Sequence, residues 1–99
     1  GVCWENGRPT GLLEVKTART WGGLFEESLS SGVPSDWLYQ VQGGMQLASA
    51  ALGACLGWCD LFLWTPQRFE CRRIPVDDLL WERTMLPALR SFYFDLFLP

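Results

Sequence analysis

Glu14 and Lys16 stand two residues apart in the short apolar stretch Gly11-Leu12-Leu13-Glu14-Val15-Lys16. The run reads as a strand, and side chains alternate faces along a strand, so the carboxylate and the amine point the same way while Val15 points opposite. Such a pair on a buried strand is costly to desolvate unless something uses it. A divalent metal with a water beside it is one such use. Glu14 then ligates, the Val15 backbone carbonyl adds an oxygen, and Lys16 orients or polarises the water. The other reading is an edge strand with a solvated Glu/Lys pair, because E-x-K alone is an unspecific pattern.

The composition narrows the chemistry. There is no histidine, which removes most zinc sites, imidazole bases and histidine-activated nucleophiles. The four cysteines, Cys3, Cys55, Cys59 and Cys71, form no C-x-x-C. Cys55 and Cys59, four apart, could join in a disulfide or pack as small residues, and free thiols in a reducing compartment are the expectation. Eight basic against eleven acidic residues argue against a protein that coats nucleic acid by charge alone. They leave room for an enzyme that gathers acidic residues at a metal and carries a local basic rim.

At 99 residues and 48% hydrophobic, with six tryptophans, the chain is a globular domain and at most one. No apolar run is long enough to span a bilayer; the richest, Ala48 to Trp64, is broken by glycines and by Asp60. The opening Gly1-Val2-Cys3-Trp4-Glu5 has neither an initiator Met nor a signal-peptide layout, which points to a fragment of a longer protein.

The elements that must hold Glu14 and Lys16 follow from turn and periodicity signals. Glu5-Asn6-Gly7-Arg8-Pro9-Thr10-Gly11 is turn chemistry, so residues 1–17 make a hairpin. Residues 18–33 read as a loop with one helical turn around Leu24 to Leu29, either a plain connector or a functional flap. Ser35 is a good N-cap for a helix running to about Gly53, with Asp36 in its first turn. Trp37, Val41 and Met45, with Leu38 and Ala48 beside them, form its apolar stripe, and Gln40 lies off the stripe's centre. Gly43 and Gly44 inside it suggest tight helix–sheet packing or the close approach of a backbone or ligand. Trp58 to Trp64 is a central strand, and Phe69 to Pro75 its antiparallel outer partner. A final helix, Leu79 to Leu98, should kink or restart at Pro87. Phe92, Tyr93, Phe94 and Phe97 near its end are core or a contact with another chain. Strand, strand, helix, strand, strand, helix is an α/β or α+β layout: a small mixed sheet flanked by helices.

Together, Gly1-Val2-Cys3, Gly11 to Lys16, Tyr39-Gln40-Val41-Gln42 and Trp58-Cys59-Asp60 through Thr65-Pro66 resemble the YqaJ-type viral recombinase nucleases. These are relatives of the phage lambda exonuclease in the PD-(D/E)xK superfamily, with its restriction-endonuclease-like core. The likeness runs over nearly the whole chain, and Q-V-Q followed by W-C-D makes it more specific than E-x-K. It implies one partial nuclease domain over residues 1–99, a catalytic core without its upstream part, cutting DNA with Mg2+ or Mn2+. By position Glu14 and the Val15 carbonyl ligate metal, Lys16 activates water, and Gln40 approaches from its helix.

The family's second metal ligand is an aspartate directly before a glycine in a P-D-G turn. That glycine resembles Gly1, so the aspartate would precede this chain; Glu5 is the nearby acid that could substitute. The family commonly has Cys-Pro after the lysine, where this chain has Thr17-Ala18. A basic rim of Lys16, Arg19, Arg68, Arg72 and Arg73, joined by Gln42, would meet DNA, although Arg72-Arg73 also reads as an exposed outer strand. The activity implied is a 5′-to-3′ double-strand exonuclease in a bacterial or prophage-bearing cytoplasm, preparing DNA ends for single-strand annealing. An annealing protein and a homo-oligomer are the partners implied, and no membrane. The alternatives are a restriction or repair endonuclease and a non-catalytic DNA-end-binding piece.

Overall fold

A computed structural model describes the backbone of residues 1–97 and side chains as far as Tyr93. Asn6 and Gly7 both take positive φ, 51° and 75°, the pair of left-handed residues that a two-residue type I′ turn requires. They join β1 (Val2–Glu5) to β2 (Arg8–Thr17). The turn is therefore shorter than the run of turn-forming residues suggests, and Arg8, Pro9 and Thr10 belong to the strand. Pro9 is tolerated because β2 pairs with β3 only from Gly11 onward, and a register shift opposite Cys3 and Trp4 relaxes the ladder there.

A short helix α1 (Leu24–Ser30) follows, then α2 (Ser35–Leu52). Ser35 is not the N-cap: Pro34 holds that place with no side-chain cap bond, and Ser35 is the first helical residue. Gly53 ends the helix at φ 62°, its N–H bonded to the Ser49 carbonyl, a conformation that favours glycine. The helix is the crossover that returns the chain to β3 (Trp58–Trp64), parallel to β2. Strand β4 (Phe69–Pro75) then pairs antiparallel with β3, completing a mixed sheet of order β1-β2-β3-β4.

One face of the sheet is covered. Cys59, Leu61 and Leu63 of β3 and Ile74 of β4 meet Phe25 of α1 and Val41 and Met45 of α2, with Leu12, Trp37 and Leu38 packed around them. Gly43 and Gly44 touch side-chain ends only: a Cβ at Gly43 would meet Met85 Cε at 3.4 Å, and one at Gly44 would meet Leu12 Cδ1 at 3.7 Å. No backbone comes close enough to demand glycine at either. Gly11 is the glycine that packing demands, since a Cβ there would fall 2.4 Å from the Trp58 ring. On the opposite face Leu13, Val15, Trp64 and Phe69 are exposed. There Asp60 and Arg73 form a two-pronged ion pair at 2.8 and 3.1 Å, with the guanidinium 3.8 Å from the Trp58 ring centre. The Arg73 hydrogen bonds hold the Asp60 carboxyl below its ordinary range.

The Asp77 carboxylate accepts from the Leu80 N–H at 3.0 Å and caps α3 (Asp78–Leu80). The helix then widens into a π turn over Trp81–Met85 and continues as α4 (Leu86–Phe97). Pro87 thus falls where the π turn gives way to α4. Proline has no N–H to offer the ladder, and one residue earlier the Leu86 N–H reaches back five residues to the Trp81 carbonyl. Phe92 and Tyr93 are exposed; the side chains of Phe94 and Phe97, and Leu98, lie outside the described residues. All four cysteines are free thiols. Cys55 follows α2 whereas Cys59 is buried in β3, so the two share no helix. Burial first, then the Glu14 charge, pushes the Cys59 thiol up to about 11. Among the described residues no helix is long and apolar enough to cross a membrane.

Candidate functional site

The even-numbered residues of β2 face the helices, and Glu14 and Lys16 follow Leu12 on that side. Near the C-terminal end of β2 they meet the first turns of α2. Lys16 Nζ donates to Gln40 Oε1 at 2.6 Å and lies 3.8 Å from Glu14 Oε1. The Trp37 ring completes the surround, its centroid 5.4 Å from the same nitrogen. Trp37 and Gln40 are three apart on α2, the spacing that puts two side chains on one helical face. The ammonium thus has one hydrogen bond to an amide oxygen, with a carboxylate and an aromatic ring beside it.

The backbone of β2 adds an oxygen. The Gly57 N–H donates to the Thr10 carbonyl and the Ala18 N–H to the Trp64 carbonyl, so even-numbered residues bond toward β3. Odd-numbered ones bond toward β1: Leu13 exchanges two 2.8 Å hydrogen bonds with Gly1. Two residues on, the Val15 carbonyl is directed to that same edge, next to the Glu14 side chain. The Val15 side chain itself is exposed on the uncovered face.

Other expected members do not join this cluster. Glu5 pairs with Arg8 at the far end of the hairpin, about 20 Å from Glu14 at roughly 3.3 Å of rise per residue. It cannot share an ion with Glu14. Gln42, expected at DNA, is 1% exposed; its Nε2 donates to the Pro75 carbonyl at 2.9 Å and its Oε1 accepts from the Asp77 N–H at 2.8 Å. It is a clamp inside the body. Arg72 donates to the Ser28 carbonyl at 2.6 Å and ties β4 to α1. Arg73 is bound to Asp60 on the other face of the sheet. Arg68 stacks on Trp21 at 4.1 Å and pairs with Glu26 and Glu70. Arg19 is exposed in the connection after β2. The arginines therefore occupy both faces and form no continuous rim around Lys16.

As for a metal, no group of three His, Cys, Asp or Glu side chains is placed to hold one among the described residues. Mg2+ takes few protein ligands and keeps several waters. Glu14 and the Val15 carbonyl fit part of such a set, in hard oxygen donors of the right kind. Trp37 is the member of the cluster that sequence reasoning left in the apolar stripe. Its signal was its spacing, three residues before Gln40. Comparison with protein-family models, with curated proteins and with solved structures finds no match for this chain.

Proposed function

We propose that the chain is the core of a metal-dependent deoxyribonuclease of PD-(D/E)xK type, most specifically a double-strand DNA exonuclease. One observation carries this reading: Lys16, beside Glu14 on one strand face, is held at 2.6 Å by Gln40 from the crossover helix. The E-x-K and the first glutamine of Q-V-Q are far apart in sequence, and the nuclease reading needs them together. The order of hairpin, crossover helix and parallel strand supports the same core.

The β1–β2 register bears on the second carboxylate. Gly1 and Leu13 exchange both hydrogen bonds, so a residue encoded immediately before Gly1 would stand opposite Glu14 on the same face. In such a non-hydrogen-bonded pair the Cα atoms are about 4.5 Å apart. An aspartate there would complete a two-carboxylate site. A proline one position earlier would have no N–H for the Val15 carbonyl, leaving that oxygen free to ligate. Bound Mg2+ or Mn2+ would supply charge stabilisation for the attacking and leaving oxygens of a phosphodiester. The chain's own part is to orient the attacking water with the Lys16 amine, and Gln40 keeps that amine in place.

The test is magnesium-dependent digestion of linear duplex DNA by the protein as its gene encodes it. Degradation from ends, with supercoiled circles spared, is the expected result; equal cutting of circles would favour the endonuclease alternative. Lys16→Ala should abolish cleavage and leave metal binding largely intact, and surviving activity would refute the role of Lys16. A non-acidic residue before Gly1 favours the second reading, a DNA-end-binding piece without catalysis.

A further inference from the structure

We infer that Trp37 is a positioning residue for Lys16, acting through the face of its indole. The inference rests on the proposed nuclease role of Lys16 for its consequence, though not for its geometry. The Lys16 ammonium lies 5.4 Å from the Trp37 ring centroid, inside the distance of about 6 Å at which a ring quadrupole attracts a cation. Its other two neighbours do not fix it alone. The Glu14 oxygen is 3.8 Å away and that carboxylate is partly exposed, so solvent screens the attraction. Gln40 supplies a single directed hydrogen bond. A lysine on four rotatable bonds needs a further contact to confine it, and the indole face provides one.

The ring is itself anchored. Trp37 meets Phe25 edge-on at 5.9 Å, and Phe25 meets Trp21 edge-on at 5.4 Å. Arg68 lies over the far end of this row, 4.1 Å from the Trp21 centroid. Three aromatic rings with a cation at each end thus run from the β3–β4 turn, under α1, to Lys16. Phe25 is 5% exposed and belongs to the core, so the row is seated on a rigid part of the fold. The connection 18–23 and α1, which separate Glu14 from Gln40 in sequence, thereby support the amine from below.

Lys16 is the only lysine in the chain, which makes a direct test possible. Protein labelled with 13C-lysine shows one ε-methylene signal, and the indole ring current should shift its protons upfield. Trp37→Phe should keep much of that shift, and Trp37→Leu should return it to the free-lysine position with the fold intact by circular dichroism. In the cleavage assay Trp37→Leu should lower kcat roughly two- to five-fold relative to Trp37→Phe, with KM for DNA unchanged. Trp37→Phe keeps a ring against Phe25 and Trp37→Leu does not, so the lysine signal, which packing against Phe25 does not itself set, separates positioning from structure. An unshifted ε-methylene signal in the parent, or equal signals in Trp37→Leu and Trp37→Phe, would overturn the inference. So would equal kcat values in two active, folded variants. If the parent cuts no DNA under any metal, the nuclease reading fails, while the lysine signal still decides whether Trp37 holds the amine.

Discussion

Gln40 and Gln42 lie two residues apart in one motif, yet the fold uses them in opposite ways, and Gln42→Leu exposes the difference. Gln42 is 1% exposed and bridges the Pro75 carbonyl and the Asp77 N–H at 2.9 and 2.8 Å. Asp77 in turn caps the helix that follows, so the clamp fixes the joint between β4 and α3. Leucine nearly conserves volume but strands a carbonyl and an N–H in a part-buried joint. Two hydrogen bonds at about 1 kcal/mol each, with incomplete resolvation of the orphaned groups, give a loss of about 2–4 kcal/mol. That is a large share of the roughly 5–15 kcal/mol that stabilises a typical domain. At about 4–8 °C per kcal/mol for a chain of this size, Tm should fall by about 8–32 °C. Urea unfolding followed by tryptophan fluorescence measures the loss, with an unchanged slope expected. Gln40→Leu is the matched control and should leave stability within about 0.5 kcal/mol, as exposed substitutions do. A Gln42→Leu protein of parental stability, or one that loses only DNA affinity, would refute the clamp and restore Gln42 to the DNA surface.

The interior glycines of α2 predict the opposite sign: Gly44→Ala should stabilise by up to about 1 kcal/mol, because a Cβ there meets Leu12 at ordinary contact distance. Gly11→Ala should destabilise by about 1–3 kcal/mol in the same urea titration, because its Cβ would run into the Trp58 ring. Arg73 holds the folded Asp60 carboxyl below its ordinary value of 3.8, so the ion pair's contribution is present above that value and is lost as pH falls through the lower, folded one. Asp60→Asn should therefore lower Tm at neutral pH, and the gap from the parent should close as pH falls below that ordinary value; a gap that is constant with pH would refute the ion pair's role.

The element order was legible because each signal was local. Asn6-Gly7 forces a left-handed pair, a run apolar on both faces apart from Asp60 marks β3 as a central strand, and the stripe Trp37, Val41, Met45 marks the buried face of α2. The errors fall where a long-range contact overrides a local rule. Pro9 reads as turn chemistry, but β2 pairs with β3 only from Gly11 onward, so the proline has no β3 ladder to break. Gly43 and Gly44 read as close-approach positions, whereas the demand for glycine lies at Gly11, under a tryptophan distant in sequence.

The site shows the same division. That Glu14 and Lys16 share a face follows from strand periodicity alone. That Gln40 reaches Lys16 does not, because it depends on where α2 crosses β2, and the sequence offered it only through resemblance. Glu5 was tempting because only nine positions separate it from Glu14. A two-residue turn makes that separation misleading, for in a hairpin the neighbours of Glu14 are set by register and not by count. The same register pairs Gly1 with Leu13, not Glu5 with any residue near Glu14. The expected rim loses Arg73 for a related reason: Arg72 and Arg73 are adjacent in sequence, and a strand sends adjacent side chains to opposite faces. Arg72 therefore ties down α1 while Arg73 meets Asp60 across the sheet. No surface built on β4 can recruit both, so a DNA contact on the Lys16 side has Arg72 alone of the two within its reach.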